Sequence, residues 1–375
     1  MTVTIVVLVI AAGLYQLIAI LAILFQRRQP PAADREPGPV SILKPVYGKD
    51  AGFYDAIRSH AALQYPEFEI LFGIRREDDP AREEVERLIA EFPSVEIRLI
   101  RCATEAPNSK VGSLIDLARA ARYPILIAND SDISVPPGYI RDVTGPLSDP
   151  GIGLVTCFYR PEAYDWPSRF EALAIVTDFA PSTLVARMFG VSNFAFGSTM
   201  AFRKADLARI GGFEAIADYI ADDYQLGDKL HGLGMRNLIS SVAVSMRLAS
   251  GSWRGAWRHQ VRWARTIRLS GGVGYLGLPI TYATLWVVAA ALAGQWWLAL
   301  GLLVVRFTRA FTAAGLLGSA GVWKHFYAIP LRDLAGVAVW AAGLVSRSVI
   351  WRDQKLRLDG EGRIVARTVA KTRLL

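Results

Sequence analysis

The stretch IANDSDISV, residues 127–135, decides the reading of this chain. An apolar run from Ile125 to Ala128 ends in Asn129-Asp130-Ser131-Asp132, and the chain breaks at Pro136-Pro137. A short apolar run bounded by turn formers predicts a buried strand. Residues two apart in a strand point to the same side. The spacing therefore predicts Asp130 and Asp132 as a carboxylate pair at a strand end. Such a pair suits a hard divalent cation, Mg²⁺ or Mn²⁺, which commonly bridges carboxylates to substrate phosphates. Asn, Asp and Ser also favour turns, so a solvated turn is the plainer alternative.

Outward from this strand, the surrounding sequence alternates. VSILKPVYG (40–48), EILFGI (69–74), VEIRLI (95–100) and YPILIAN (123–129) read as strands. PAREEVERLIAEF (80–92) and SLIDLARAA (113–121) carry helical periodicity, with Pro80 at the favoured first position of its helix. Strands alternating with helices predict an α/β domain with a mostly parallel, Rossmann-like sheet covered on both faces. Ligands of such sheets sit at the carboxyl ends of the strands. Asp130 and Asp132 lie at that edge, and so do Asp78-Asp79 after the second strand. Asp79-Pro80 equally reads as a helix cap, as do Asp222-Asp223 before the helical pattern of YQLGDKL. A carboxylate at such a helix start near a substrate serves as general base.

The flanks are apolar. The chain has 375 residues, 52% of them hydrophobic. Val3–Phe25 is a charge-free run long enough to cross a bilayer at about 1.5 Å per residue. It has no basic leader and no small-residue cleavage site, which separates it from a secretory signal. Residues 1–26 are read as a membrane anchor. Arg27-Arg28 on its far side place the central part of the chain in the cytoplasm, at an inner membrane. Residues 27–39 are a polar, Pro-rich linker and 40–250 the α/β domain. From Leu276 to Val305 no charge occurs, and Arg306 and Arg309 then interrupt. Residues 273–351 are read as membrane helices with two or three crossings, and 352–375 as a basic cytoplasmic tail. The net charge of +8 (42 basic against 34 acidic residues) fits an anionic membrane better than nucleic acid in so apolar a chain. Two cysteines give no disulfide framework.

Residues 251–272 hold SWRGAWRHQVRWARTIR. Arg254, Arg258, Arg262, Arg265 and Arg268 share one helical face, with Trp253, Trp257 and Trp263 interleaved. This predicts an amphipathic interfacial helix. An Arg from it reaching a diphosphate is the sharper reading, because a planar fork suits phosphate oxygens. Residues 165–190, apolar and broken by Pro167 and Pro181, are expected beside it in the interface; a helix packed on the soluble domain is the alternative.

In order, SILKP, EDDP, SKVGSL, NDSDI, FGSTMAFRK, GGFEAIADYIADDY and HQVRW resemble the ceramide glucosyltransferases, and the bacterial hopanoid-associated glycosyltransferases of similar pattern. The resemblance covers about residues 40–268 together with the anchor and the C-terminal membrane region. It implies a GT-A fold, Mg²⁺ or Mn²⁺, a UDP-sugar donor (glucose or N-acetylglucosamine), a membrane lipid acceptor and inverting transfer. Carried over by position, Asp79 is expected near the uracil and ribose, and Asp130 with Asp132 at the metal. Asp223 is the expected base, with Asp222 beside it. Arg262-Trp263 match the closing motif. His259 stands where relatives have Gln or Arg, which puts its contact with the diphosphate in doubt. Lys44, Pro45 and Lys110 fall in matching segments and are expected to help bind the nucleotide. A processive polysaccharide synthase would need more membrane spans. A polyprenyl-phosphate sugar transferase fits the closing motif less well. A non-catalytic nucleotide-sugar-binding scaffold predicts loss of acids that are all in place. Oligomeric state is left open.

Overall fold

The computed structural model describes residues 2–27, 38–50, 52–248, 251–319, 321–351 and 354–369. Most of the expected linker (28–37) and the end of the expected tail (370–375) lie outside them. In chain order, helix α1 (Thr2–Arg27) precedes β1 (Val40–Pro45), α2 (Phe53–Ala61), β2 (Phe68–Ile74), α3 (Ala81–Glu91), β3 (Glu96–Arg101), α4 (Ser109–Ala120), β4 (Ile125–Ala128) and β5 (Ile133–Ser134). Then come α5 (Tyr139–Thr144), β6 (Ile152–Glu162), α6 (Trp166–Ala174), a π-helical turn (Ile175–Phe179), α7 (Ala180–Met188), β7 (Met200–Arg203), α8 (Lys204–Arg209), α9 (Asp222–Gly232) and β8 (Arg236–Arg247). Helices α10 (Trp253–Gly271), α11 (Ala283–Leu292), α12 (Trp296–Leu317) and α13 (Ile329–Val345) lead to short strands β9 (Ser348–Trp351), β10 (Gln354–Leu358) and β11 (Ile364–Val369).

The chain divides into two compact units. One comprises residues 30–159 and 191–247, the other 1–29, 160–190 and 248–375. The first is built on a sheet of order β3-β2-β1-β4-β7-β6-β8-β5. β1 pairs in parallel with β2 and β4, and β2 with β3. β4 and β7, β6 and β7, and β5 and β8 pair antiparallel. The α/β expectation holds, with the parallel half confined to the four strands read from the sequence. Every residue of β1 and β4 is buried, as befits central parallel strands covered on both faces. Leu43, Leu71, Leu114, Leu126, Phe202, Phe213 and Leu226 are among the core side chains on one side of it. Strand order reverses between β1 and β4, and an open α/β sheet places its ligand crevice at that switch point.

Among the described residues of the second unit, three helical stretches are long and apolar enough to cross a membrane: Val3–Arg27, Trp296–Leu317 and Val322–Val345. A fourth candidate is Gly274–Thr281 with Ala283–Leu292, bent by 60°. The uncharged run 276–305 is thus divided between that bent pair and α12. Arg306 and Arg309 do not interrupt a span, contrary to expectation: α12 runs through them, and both are wholly buried. Arg306 donates through Nε and Nη2 to the two carboxyl oxygens of Asp333 on α13, at 3.1 and 2.6 Å. Arg306 and Arg309 also both donate to Asp178 Oδ1 of the π-helical turn, at 2.9 and 3.0 Å. The segment 165–190 belongs to this unit. A capping box between Asp165 and Ser168 starts α6, and the Ser182 hydroxyl lies 2.9 Å from that of Tyr15 on α1.

Candidate active site

β4 ends at Ala128, so Asp130 and Asp132 stand in the turn after it rather than in the strand. The strand-alternation argument for the pair therefore fails: Asn129, Asp130 and Ser131 favour the turn. The two carboxylates are nonetheless close enough to repel. Burial, and then Asp130, push Asp132 up to about 7.

Lys110, at the start of α4, ties this turn to α9. Its ammonium is 2.8 Å from Asp130 Oδ1 and 2.9 Å from Asp222 Oδ2. Burial opposes the charge on Lys110, but Asp130, Asp222 and Asp223 hold it protonated well above the usual lysine range. Asn108 fixes where α4 begins, accepting the N–H groups of Lys110 and Val111 with its side chain. Its own amide reaches the Tyr219 carbonyl at 2.9 Å.

Gly197 forms a second tie. The Asp130 N–H donates to the Gly197 carbonyl at 3.0 Å, and the Gly197 N–H donates to Asp223 Oδ2 at 2.8 Å. A Cβ at Gly197 would stand 2.6 Å from Asp130 Oδ2 and 3.4 Å from Lys110 Nζ, so only glycine leaves room for that carboxylate. Asp223 Oδ1 accepts the N–H of Tyr224 at 2.8 Å. Burial, then the neighbouring Asp222, push Asp223 up to about 6. Each of its oxygens keeps a lone pair for a further proton donor.

Behind this edge lies a buried polar network. Lys44, at the end of β1, donates to Asn129 Oδ1 at 3.1 Å and to the Asp130 carbonyl at 3.0 Å, and lies 3.3 Å from His60 Nε2. His60 Nδ1 faces the Ala56 carbonyl at 3.0 Å, so that nitrogen carries the proton and Nε2 accepts. Asn129 Nδ2 serves both His60 Nε2 and the Tyr139 hydroxyl, each at 3.1 Å. Burial and Lys44 hold His60 well below the usual histidine range. Burial brings Lys44 down to about 7, against the pull of Asp132 and Asp130. Lys44 is wholly buried and spends its donors inside the protein. Expected to help bind the nucleotide, Lys44 in the fold holds the Asn129 side chain and the Asp130 carbonyl at the switch point.

Of the other expected residues, Pro45 is buried in β1. Asp79 is buried, and its Oδ1 accepts the N–H groups of Gly48 and Ala81, each at 2.9 Å. It caps the approach to α3 and ties it to the loop after β1. His259, Arg262 and Trp263 lie on α10, in the helical unit. There His259 Nδ1 is bonded to the buried carboxylate of Glu171 and its ring packs on Trp263, centroids 4.8 Å apart. Reading the sequence left His60, Tyr139, Gly197 and Glu171 without roles. FGSTM carried a signal for Gly197, a glycine in a matched motif; the others meet their partners only in the fold.

Among the described residues, no group of three or more His, Cys, Asp or Glu side chains is arranged to hold a metal. The acids of the switch point still fit a divalent cation. Asp130, Asp132, Asp222 and Asp223 act electrostatically on two lysines, the buried Lys44 and the partly buried Lys110. Four carboxyl groups stand here against two amines, and hard cations take such oxygens along with those of a substrate.

Comparison with known proteins agrees with this architecture. Ceramide glucosyltransferase 1 of Caenorhabditis elegans is 26% identical over 357 residues, covering 88% of this chain and 74% of that protein. Ceramide glucosyltransferase 3 of the same organism is 30% identical over 230 residues, covering 60% of this chain and half of that protein. Among solved structures, a mannosyltransferase from Pyrobaculum calidifontis in complex with GDP-Man and Mn²⁺ superimposes with a TM-score of 0.54 at 18% identity. That match covers 92% of this chain and 98% of the other, and establishes a likeness of fold to the GT-A glycosyltransferases. The model of glycosyl transferase family 21 matches residues 2–364; the switch-point acids therefore stand in a membrane glycosyltransferase, and the chain belongs to family 21.

Proposed function

We propose that this chain moves a hexose, glucose or N-acetylglucosamine, from a UDP-sugar to the hydroxyl of a ceramide-like membrane lipid, with inversion at the anomeric carbon. The observation that carries the reading is Asp223, held by the Gly197 N–H beside the Lys110–Asp130–Asp222 ion cluster. Its carboxyl, raised to about 6, is largely ionised at neutral pH and basic enough to take a proton from an attacking hydroxyl. A single displacement needs one base and no enzyme nucleophile, so an α-linked donor gives a β-glycoside. The names of the family 21 relatives support the ceramide-like acceptor.

Asp130 and Asp132 would hold Mg²⁺ or Mn²⁺, and such an ion supplies positive charge opposite the diphosphate of the leaving nucleotide. Lys110 adds a fixed ammonium there and keeps Asp130 and Asp222 in place. Asp79 lends its remaining carboxyl oxygen to the uridine. Arg262 and Trp263 come to the reaction through the resemblance of their motif, as a guanidinium for the diphosphate and its aromatic support. The helical unit brings the lipid, with α10 and residues 165–190 in the interface. Arg27 at the end of α1 supports a sheet unit on the cytoplasmic side of an inner membrane.

The experiment is UDP release by the full chain, purified in detergent. UDP-glucose and UDP-N-acetylglucosamine are each offered with ceramide or a polyhydroxylated hopanoid, with and without chelator. Release that requires ceramide, stops with chelator and vanishes in Asp223→Asn is expected. Release only with the hopanoid reassigns the acceptor. Nucleotide binding with no lipid-dependent release overturns the reading in favour of a binding scaffold.

A further inference from the structure

Helix α13 ends at Val345, and the carbonyls of its last turn have no partner within the helix. Arg268 of α10 supplies one. It donates through Nη1 to the Leu344 carbonyl at 2.8 Å and through Nη2 to that of Ser346 at 3.0 Å. Arg265, one turn earlier, reaches the Ser348 carbonyl at 2.5 Å. The negative end of α13 is thus already neutralised before the chain reaches Arg347. Arg347 is exposed, and no carboxylate pairs with its guanidinium among the described residues. Its backbone carbonyl accepts the Leu358 N–H at 2.8 Å, which leaves the guanidinium itself outside that bond.

Between these two arginines runs a shallow groove of about 390 Å³. Arg268 and Arg347 stand in its wall, and Leu269, Tyr275, Leu276 and Leu344 form the rest of its lining with Gly272. None of these residues is acidic. Tyr275 is buried and its hydroxyl is spent on the Trp340 carbonyl at 2.8 Å, so it contributes a ring and no free polar group. Leu276 and Leu344 are 59% and 37% exposed. The groove also has a definite depth. Leu344 is in the last turn of the candidate span Val322–Val345, and Leu276 is near the start of the bent pair that begins at Gly274. Ends of spans are where a membrane offers phosphate above and acyl chain below.

We infer that this groove is a binding site for one anionic phospholipid. The phosphodiester sits between Arg347 and Arg268, and the upper part of one acyl chain lies over Leu269, Leu276 and Leu344. Two guanidiniums with no carboxylate partner among the described residues select for negative charge, because basic pockets between membrane helices bind anionic headgroups. A zwitterionic lipid brings its own ammonium to Arg347 and loses that advantage. Free phosphate gains nothing from the leucines. The volume lies within the roughly 300–1,000 Å³ of small-ligand sites, enough for a headgroup and the head of one chain but not for a whole two-chain lipid. The rest of the lipid stays in the bilayer.

Arg347→Gln is the informative variant, because Arg268 also caps α13 and its loss would disturb the helix. Native mass spectrometry of the full chain would be run in micelles containing equal phosphatidylglycerol and phosphatidylcholine of identical chains. Wild type is expected to retain one phosphatidylglycerol in preference to phosphatidylcholine. Arg347→Gln should lower that retention about fivefold, the size expected for one arginine at an anionic surface, and leave phosphatidylcholine unchanged. Leu344→Gln, which keeps both charges, should shorten retention of the same lipid. Equal retention of the two lipids by wild type, or of phosphatidylglycerol by wild type and Arg347→Gln, would overturn the site. Displacement of the lipid by millimolar inorganic phosphate would reassign it to a free anion. No donor or acceptor is present in this measurement, so its outcome is independent of the transfer reaction.

Discussion

Gly197→Ala tests the switch point with a single methyl group. The backbone there is not in the left-handed region, so alanine is conformationally acceptable and the effect is one of space. The new Cβ would lie 2.6 Å from Asp130 Oδ2, where ordinary contact begins at 3.4 Å. The carboxylate must therefore retreat by about 0.8 Å. It cannot do so alone, because its other oxygen is held by Lys110 and its backbone by the Gly197 carbonyl. A misplacement of about 1 Å at a reacting site costs on the order of 100-fold in rate, equivalent to about 2.7 kcal/mol of transition-state stabilisation. We expect kcat/KM for UDP release to fall by about that factor, while thermal unfolding of the purified protein moves by only a few degrees. Gly232→Ala is the control: a Cβ there meets nothing within 4 Å, and activity should be unchanged. If Gly197→Ala retains activity within twofold of wild type, the position of the Asp130 carboxylate does not limit the reaction, and its proposed role at the diphosphate fails with it.

The same geometry sets further outcomes. Asp223 acts as a base only when ionised and is raised to about 6, so kcat/KM should fall on the acid side with a midpoint near pH 6. Asp223→Asn should lose about 10²–10⁴-fold and the acid limb with it. Because the folded form of Asp223 holds its proton more tightly than the unfolded chain, wild type should also gain stability over Asp223→Asn as pH falls from 6 towards 4. Lys44 is shifted the opposite way, to about 7: the unfolded chain binds that proton more tightly, so wild type should gain stability over Lys44→Met from pH 7 to 10. The slope is at most about 1.4 kcal/mol per pH unit in denaturant titrations, and a pH-independent difference would refute a buried, partly neutral lysine. Gly343→Ala would bring a Cβ within 2.1 Å of the Tyr275 hydroxyl. It should lower stability in detergent by about 1–3 kcal/mol, and Tyr275→Phe should recover part of the loss; no recovery would place the strain elsewhere.

The parallel half of the sheet was readable because its strands obey local rules. β1 to β4 are short apolar runs separated by helical periods, and the acids come at their carboxyl ends. The antiparallel half is less legible. β5 has two residues, too few for any period to register. The places of single residues were readable only where a local rule coincided with the fold, as for Asp223 at a helix start. The burial of Lys44 was not legible, because its partners, Asn129 and His60, are 85 and 16 residues away and nothing in SILKP marks its lysine as buried. The β10–β11 hairpin was missed within a stretch read as a basic tail, although Lys355-Leu356-Arg357-Leu358 alternates and Asp359 accepts the N–H groups of Glu361 and Arg363 in the turn. Charge composition outweighed alternation there.

Helix α12 shows what such long-range pairing demands of biogenesis. An arginine at the centre of a membrane helix costs roughly 2.5–3.5 kcal/mol on insertion scales, so Arg306 and Arg309 make α12 a poor candidate to enter a bilayer by itself. One of their partners, Asp178, is synthesised 128 residues before Arg306, and the other, Asp333, 27 residues after it. Helix α12 therefore leaves the ribosome with one counter-charge already made and the other still to come. It has to be received by the 160–190 segment and then closed over by α13, so the helices enter the membrane as a cohort rather than one by one. Truncating the chain before Asp333 should strand α12 outside the bilayer, although the sequence of α12 itself is intact.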